Sequence, residues 1–211
     1  MKNIDPQRGA GRCSCSQPRH DARLVVVTGG PGAGKTALLE LARRDLCEHA
    51  AILPEAAGIL YGGGFPRVDD VPSRRAAQRA IFHVQHELER EVVERDNAAL
   101  VLCDRGTVDA LAYWPGDVAD FWREVGSSVD AELARYAAVI HLRTPPRGEY
   151  NHRNPLRVET AAEAAAIDER ITVAWRDHPR RFVIDHCRSF LDKAHAAMSI
   201  VREQLPPCCA R

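Results

Sequence analysis

Residues 24–39 read LVVVTGGPGAGKTALL. Leu24-Val-Val-Val is a short, apolar, β-branched run, the composition of a parallel strand buried on both faces, and helix-forming Ala37-Leu-Leu-Glu-Leu-Ala follows it. Between them, Gly29 to Thr36 fits G-x-x-x-x-G-K-[ST]. In such a loop, glycines let backbone N–H groups close around phosphate oxygens, the lysine reaches the β- and γ-phosphates, and the hydroxyl ligates magnesium. The helix that follows turns its positive dipole end toward the same anion. The expected cradle is therefore Gly29, Gly30, Pro31, Gly32, Ala33, Gly34, Lys35, Thr36 and Ala37, holding ATP, or GTP as the other candidate, with Mg2+. Strand, loop and helix in this order predict an α/β fold of the P-loop NTPase type, a three-layer α/β/α sandwich.

Working outward, four more strand-like runs are expected at 51–54, 98–103, 138–142 and 181–184, beside the first at 23–28, with helical stretches between them. That alternation predicts a parallel sheet with right-handed crossovers. Tyr61-Gly-Gly-Gly-Phe-Pro reads as a flexible loop before a long helix at 73–95, Thr160-Ala-Ala-Glu163 reads as a capping box, and a last helix is expected at 188–204.

Ligands of open parallel sheets gather at the carboxyl ends of the strands, and here each end carries polar residues. Asp104, after Ala98-Ala-Leu-Val-Leu-Cys, is the expected magnesium acid beside Thr36. Glu55, after the second strand, is placed to orient an acceptor hydroxyl and take its proton; the competing reading is a cap for the helix that starts at Ala56. Arg105 can hold acceptor or phosphate oxygens, and Arg147, Arg153 and Arg157 form an arginine-rich loop able to close over the transferring group. On the long helix, the Gln85 amide offers a donor and an acceptor to a planar ligand edge. His83 and His86, three residues apart on the same helix, read as an exposed face and not as a metal pair.

Bulk composition narrows the function. At 211 residues the chain suits one α/β domain, expected at 23–205 between a disordered N-terminal extension (1–22) and a C-terminal tail (206–211), without room for a motor module and its helical partner domain. Lys+Arg and Asp+Glu balance at 29 each, so no global field recruits nucleic acid or an anionic membrane, and the expected partner besides nucleotide is a small acceptor. The only lysines are Lys2, Lys35 and Lys193, which sets Lys35 apart from an arginine background. No run approaches a membrane span and no signal-peptide core is evident, so a cytoplasmic location is expected. Cys13, Cys15, Cys47, Cys103, Cys187, Cys208 and Cys209 lack framework spacing and read as reduced thiols. Cys13-Ser-Cys15 with His20, and the terminal Cys208-Cys209-Ala-Arg, read as parts of loose tails rather than as a metal motif or a prenylation box. A guanine switch is disfavoured, because no Asn/Thr-Lys-x-Asp segment is present.

Several segments together, VVVTGGPGAGKTALLEL, LPEAAGIL, AIFHVQHELE, DRGTVDALAYW and LRTPPRGEYNHRNPLRVETAAEAAAIDERITVAW, resemble the NadR-type AAA family of small P-loop proteins over about residues 25–205. After the P-loop, the most specific part is Asp-Arg-Gly-x-x-Asp-x-x-x-Tyr at Asp104 to Tyr113. The resemblance implies a kinase-like fold with sheet order 2-3-1-4-5. It also implies a family that holds ribosylnicotinamide kinase domains and a GTP- and phosphoinositide-binding trafficking protein. By analogy with deoxynucleoside kinases, Glu55 matches the base position, Arg105 the arginine that accompanies it, and Gln85 the base-reading glutamine, with Asp109 and Tyr113 further acceptor-side candidates. Here Asp-Arg-Gly stands where those kinases carry Glu-Arg-Ser. The adenylyltransferase domain of some relatives is not expected in this chain.

Overall fold

A computed structural model describes residues 8–17, 19–95, 98–146, 160–185 and 189–209. In chain order the elements are β1 (Arg23–Thr28), α1 (Lys35–Asp45), β2 (Ala50–Leu53), α2 (Ala56–Gly62), α3 (Val71–Arg95), β3 (Leu100–Asp104), a 3-10 helix (Thr107–Ala112), α4 (Val118–Val125), α5 (Val129–Leu133), β4 (Ala138–Leu142), α6 (Ala161–Ala174), β5 (Arg181–Ile184) and α7 (Phe190–Glu203). The strands form one sheet in the order β2-β3-β1-β4-β5, and every pairing is parallel. The expected fold class and strand order are therefore what the chain adopts.

Two cores flank the sheet. Val25, Val27, Leu100, Leu102 and Ile140 point to the face covered by α1 and α7, whereas Val26, Val101, Cys103 and Val139 point to the face that holds Val92 of α3 and Ile171 and Trp175 at the end of α6. Successive side chains of one strand thus enter opposite cores, which is why these runs are apolar throughout instead of alternating.

Local chemistry sets the helix ends. Asp70 accepts the Ser73 N–H at 2.7 Å, so α3 begins at Val71, ahead of the expected position, with Pro72 in the first turn. Thr160 and Glu163 form the expected capping box. The strand β2 stops before Pro54, which has no N–H for the ladder, and β3 runs on to include Asp104. The short helices α4 and α5 are capped by Asp117 and Ser128. Among the described residues no helix is long and apolar enough to cross a membrane.

The register brings the strand ends level. Val27 pairs with Asp104 and Leu53 with Cys103, so the P-loop, Glu55 and Asp104-Arg105 leave the sheet at one edge.

Candidate functional site

The P-loop begins where β1 ends. Gly29 has φ 134, and a Cβ there would lie 2.0 Å from the Leu142 carbonyl oxygen, so only glycine lets the loop leave the sheet beside β4. At the far end of the loop α1 starts on Gly34, with no side-chain cap and no acid in its first turn. Its first N–H groups are left for an external anion. Lys35 Nζ donates to the carbonyls of Gly29 at 2.8 Å and Gly30 at 3.2 Å, which holds it over the loop. Burial, aided by the Arg105 charge and opposed by Asp104, Glu55 and Asp109, brings the Lys35 ammonium down to about 8. Thr36 and Ala37 are exposed at the mouth.

Asp104 stands opposite. Its Oδ1 is buried and has no hydrogen-bond partner. Burial raises its carboxyl to about 6, with Lys35 pulling it down and Glu55 pushing it up. A buried carboxylate oxygen without a donor is expensive unless a cation completes it. An unpartnered carboxylate oxygen of this kind suits a hard, oxygen-ligated Mg2+, and the exposed Thr36 hydroxyl is the other oxygen of the expected pair.

The cost of Asp104 gives a prediction. Its carboxyl ionises near 3.8 when unperturbed and near 6 in the folded chain, so the folded state holds this proton more tightly. Stability is lost as pH rises from about 4 to about 6, and the full penalty, at most about 3 kcal/mol, is present above that. Without magnesium or nucleotide, Asp104→Asn should melt higher than the parent at pH 8, and the gain should fade toward pH 4. A gain that does not depend on pH, or a loss at pH 8, would mean that the ionised carboxylate is already satisfied.

Glu55 and Arg105 form a charged pair beside the loop. Arg105 Nε donates to Glu55 Oε1 at 2.6 Å, its guanidinium also reaches the Gly29 carbonyl and Asp109 Oδ1 at 3.5 Å, and it lies 5.5 Å from the Tyr113 ring centre. Arg105 takes φ 73, the one left-handed non-glycine among the described residues, and such strain persists where surrounding contacts hold it. Burial works to raise the Glu55 carboxyl, but Arg105 and then Lys35 outweigh it and hold it below the usual range. At the N-cap of α2 the Glu55 side chain makes no capping hydrogen bond. The carboxylate faces Arg105 instead.

Asp109 is spent internally. Its Oδ1 accepts from the Thr28 hydroxyl, and its Oδ2 accepts from the Gly106 N–H at 2.9 Å and Trp175 Nε1 at 3.2 Å. It therefore fixes the turn that aims Arg105. Gln85, 2% exposed, donates one amide N–H to Glu89 Oε1 at 2.8 Å. Glu89 in turn accepts from the Tyr136 hydroxyl at 2.9 Å and pairs with Arg135. This buried network locks α3 against the start of β4 and holds the Gln85 wall in place. His86 bonds Glu132 at 2.9 Å and His83 is exposed, so the two do not converge on a metal. Arg147, Arg153 and Arg157 lie outside the described residues.

Lys35, Thr36, Glu55, Gln85, Arg105, Asp109 and Tyr113 line one cavity of about 1050 Å³, which runs from the P-loop past Glu55 and Arg105 to Gln85 and Tyr113. That stands at the upper end of the roughly 300–1,000 Å³ of small-ligand clefts.

One buried carboxylate that holds the P-loop does not lie at a strand end. Asp168 Oδ1 accepts the Gly30 N–H at 2.8 Å and meets His141 Nε2 at 3.0 Å, while Oδ2 lies 3.1 Å from Arg143 Nε and 3.3 Å from the Thr144 N–H. Burial acts to raise this carboxyl, but His141, Gly30 and Arg143 hold it below its usual value. It braces the loop from α6. Its signal in the sequence is an acid on an apolar helix face, with Ala164, Ile167 and Ile171 at the neighbouring core positions.

The profile of the AAA_28 family, an AAA domain, matches residues 24–192. Among solved structures, a NadR protein in complex with NR superposes with a TM-score of 0.65 at 19% identity, over 89% of this chain and 53% of that one. NadR in complex with NAD and AMP-PNP gives 0.55 at 17% identity, over 87% and 49%. Thymidylate kinase from Candida albicans gives 0.59 at 14% identity, over 87% and 92%. The chain spans about half the length of the NadR proteins it resembles. No curated protein matches it in sequence. At these identities the structural likeness concerns the fold.

Proposed function

The chain belongs to the AAA_28 family of AAA domains, and from that premise we propose that it is a phosphotransferase that moves the γ-phosphate of ATP to a hydroxyl of a small metabolite. The observation that carries the reading is the extent of the cavity. At about 1050 Å³ it continues beyond the P-loop to the Glu55–Arg105 pair and the Gln85 wall, which leaves room for a second ligand in line with a bound triphosphate.

In this reading the P-loop N–H groups and the start of α1 bind the phosphates, and Lys35 swings from the Gly29 and Gly30 carbonyls onto the transferring group. Thr36 and Asp104 would hold Mg2+, which would supply neutralising charge at the phosphate oxygens. Glu55, kept ionised by Arg105, accepts the hydrogen bond of the acceptor hydroxyl and aims its oxygen at phosphorus. Phosphoryl transfer through a loose transition state needs positioning more than a strong base, so a low-lying carboxylate suffices. Arg105 adds positive charge from the acceptor side.

A nucleoside-like acceptor is favoured. The acceptor end offers the Gln85 amide beside the aromatic rings of Phe82 and Tyr113, a wall suited to a flat polar ring. NadR has been solved with NR and thymidylate kinase shares the fold, which supports the same class. The test is a panel of nucleosides and related alcohols with ATP and magnesium, read as ADP release and as the mass of a phosphorylated product. ADP formation that rises at least tenfold with one class of alcohol, with matching product, is expected. Tight nucleotide retention without acceptor dependence would instead mark a regulatory nucleotide binder.

A further inference from the structure

At the amino end of β2, away from the nucleotide cavity at the carboxyl ends of the strands, the described N-terminal and C-terminal segments converge on the residues before β2. Residues 8–11 run beside them: Gly9 N–H donates to the Ala50 carbonyl, Gly11 N–H to Leu46 and Glu48 N–H to Gly11, each at 2.9 Å. Arg8 bridges Ala51 and Gly11 bridges Cys47. Contact is so close that a Cβ on Gly9 would lie 2.2 Å from the Cys47 carbonyl oxygen. After α7 the chain turns back, with the Cys209 N–H donating to the Pro206 carbonyl at 2.9 Å.

This meeting point gathers seven soft donors. Cys13 Sγ lies 3.1 Å and Cys209 Sγ 3.4 Å from His49 Nδ1, and Cys47 Sγ completes a set of four in which all donor atoms lie within 4.8 Å of one another. Beside it, His20 Nε2 lies 3.3 Å from Cys15 Sγ, 3.5 Å from Cys208 Sγ and 3.6 Å from Cys209 Sγ, and Cys208 and Cys209 sulfurs are 4.0 Å apart. A tetrahedral zinc with Zn–S near 2.3 Å and Zn–N near 2.0–2.1 Å requires donor-to-donor separations of about 3.5–3.8 Å. The observed spacings bracket that range. All five thiols are free in the structure, and Cys47, His49 and Cys209 are buried.

We propose that Cys13, Cys15, His20, Cys47, His49, Cys208 and Cys209 form a structural zinc centre that clasps both ends of the chain to the β2 edge. Counting donors fixes its form. Seven ligands fill eight tetrahedral positions if one thiolate bridges, and Cys209 is the sulfur that touches both sets. One ion sits among Cys13, Cys47, His49 and Cys209; at the other, Cys15, His20 and Cys209 belong to a second close set that also includes His49, and Cys208, 3.5 Å from His20 Nε2, takes the fourth position because His49 is already bound to the first ion. Thiolate and imidazole donors select zinc over magnesium or calcium, and a closed ligand shell without an open position marks a structural ion. The clasp also covers the outer edge of β2, an end strand of the sheet that would otherwise present unpaired backbone.

The test uses the full chain, produced in zinc-replete medium and purified without chelator, with metal content measured by mass spectrometry and free thiols counted. About two zinc ions per chain are expected, with the clustered thiols protected from modification until a chelator is added. Cys15→Ser should retain about one ion, and Cys209→Ser close to none. Removing zinc should lower the melting temperature while leaving nucleotide binding in place, since no ligand residue lines the nucleotide cavity. Replacement by Co2+ should give the intense absorption of cobalt–thiolate bonds. Should Cys209→Ser fail to fold, Cys15→Ser and the cobalt spectrum still decide. Full loading of Cys209→Ser, or one ion that Cys15→Ser leaves untouched, would overturn the bridged arrangement. A metal-free chain whose thiols react freely or pair as disulfides, or one that carries iron or copper instead, would overturn the zinc centre.

Discussion

Lys35→Ala should leave a folded chain that turns over nucleotide about two to four decades more slowly. The lysine is the only ammonium among the described residues that line the cavity, it is half-buried, and it is anchored by loop carbonyls rather than by a core contact. Its loss therefore removes charge from the transition state without opening a cavity in the fold. One preorganised electrostatic contact in a partly dehydrated site contributes a few kcal/mol, which is the expected range in rate. The same ammonium shapes the pH profile. Lysine loses its charge as pH rises, so kcat/KM for nucleotide should fall above about 8; in the proposed role Asp104 binds magnesium only when ionised, so it should also fall below about 6. In Lys35→Ala the alkaline limb should disappear with the rate. If turnover in the folded variant equals the parent's, the P-loop takes no part in the chemistry.

Legibility of this site follows the sequence distance over which each feature is encoded. The P-loop lies within one strand–turn–helix unit, so its glycines, Lys35 and Thr36 stand in fixed relation before any tertiary contact is known. Glu55 and Asp104-Arg105 are readable because parallel strands deliver their carboxyl ends to one edge, and the level register of Leu53 with Cys103 and Val27 with Asp104 carries this out. Side-chain direction is less readable. Asp109 shares its segment with Arg105, yet it points inward to Thr28 and Trp175, because a buried turn needs its own N–H groups satisfied. The thiol–imidazole cluster is the least legible. Cys209 and His49 are 160 residues apart, and only the closure of both chain ends over the β2 edge makes them neighbours. Each tail alone has the spacing of incidental cysteines.

The sharpest division between a kinase and a nucleotide-retaining protein comes from Glu55→Gln. The glutamine keeps the size of the side chain and an oxygen that can still accept from Arg105 Nε, but it lacks the negative charge that draws a hydroxyl proton toward it. Acceptor-dependent ADP formation should fall by about two decades, with kcat affected more than the KM for nucleotide, because Glu55 bonds Arg105 and makes no hydrogen bond to the phosphate loop itself. Stability should change little. The pair with Arg105 is 39% exposed on the Glu55 side, so after solvent screening its loss costs no more than about 1 kcal/mol. A capping contribution is absent as well, since Glu55 makes no side-chain bond to the start of α2. Melting temperature and acceptor-dependent turnover measured on one preparation separate the two roles. A variant that keeps its melting temperature and loses turnover places Glu55 at the acceptor. A variant that melts early yet turns over normally while folded would return Glu55 to a structural role and remove the main chemical argument for an acceptor hydroxyl in this cavity.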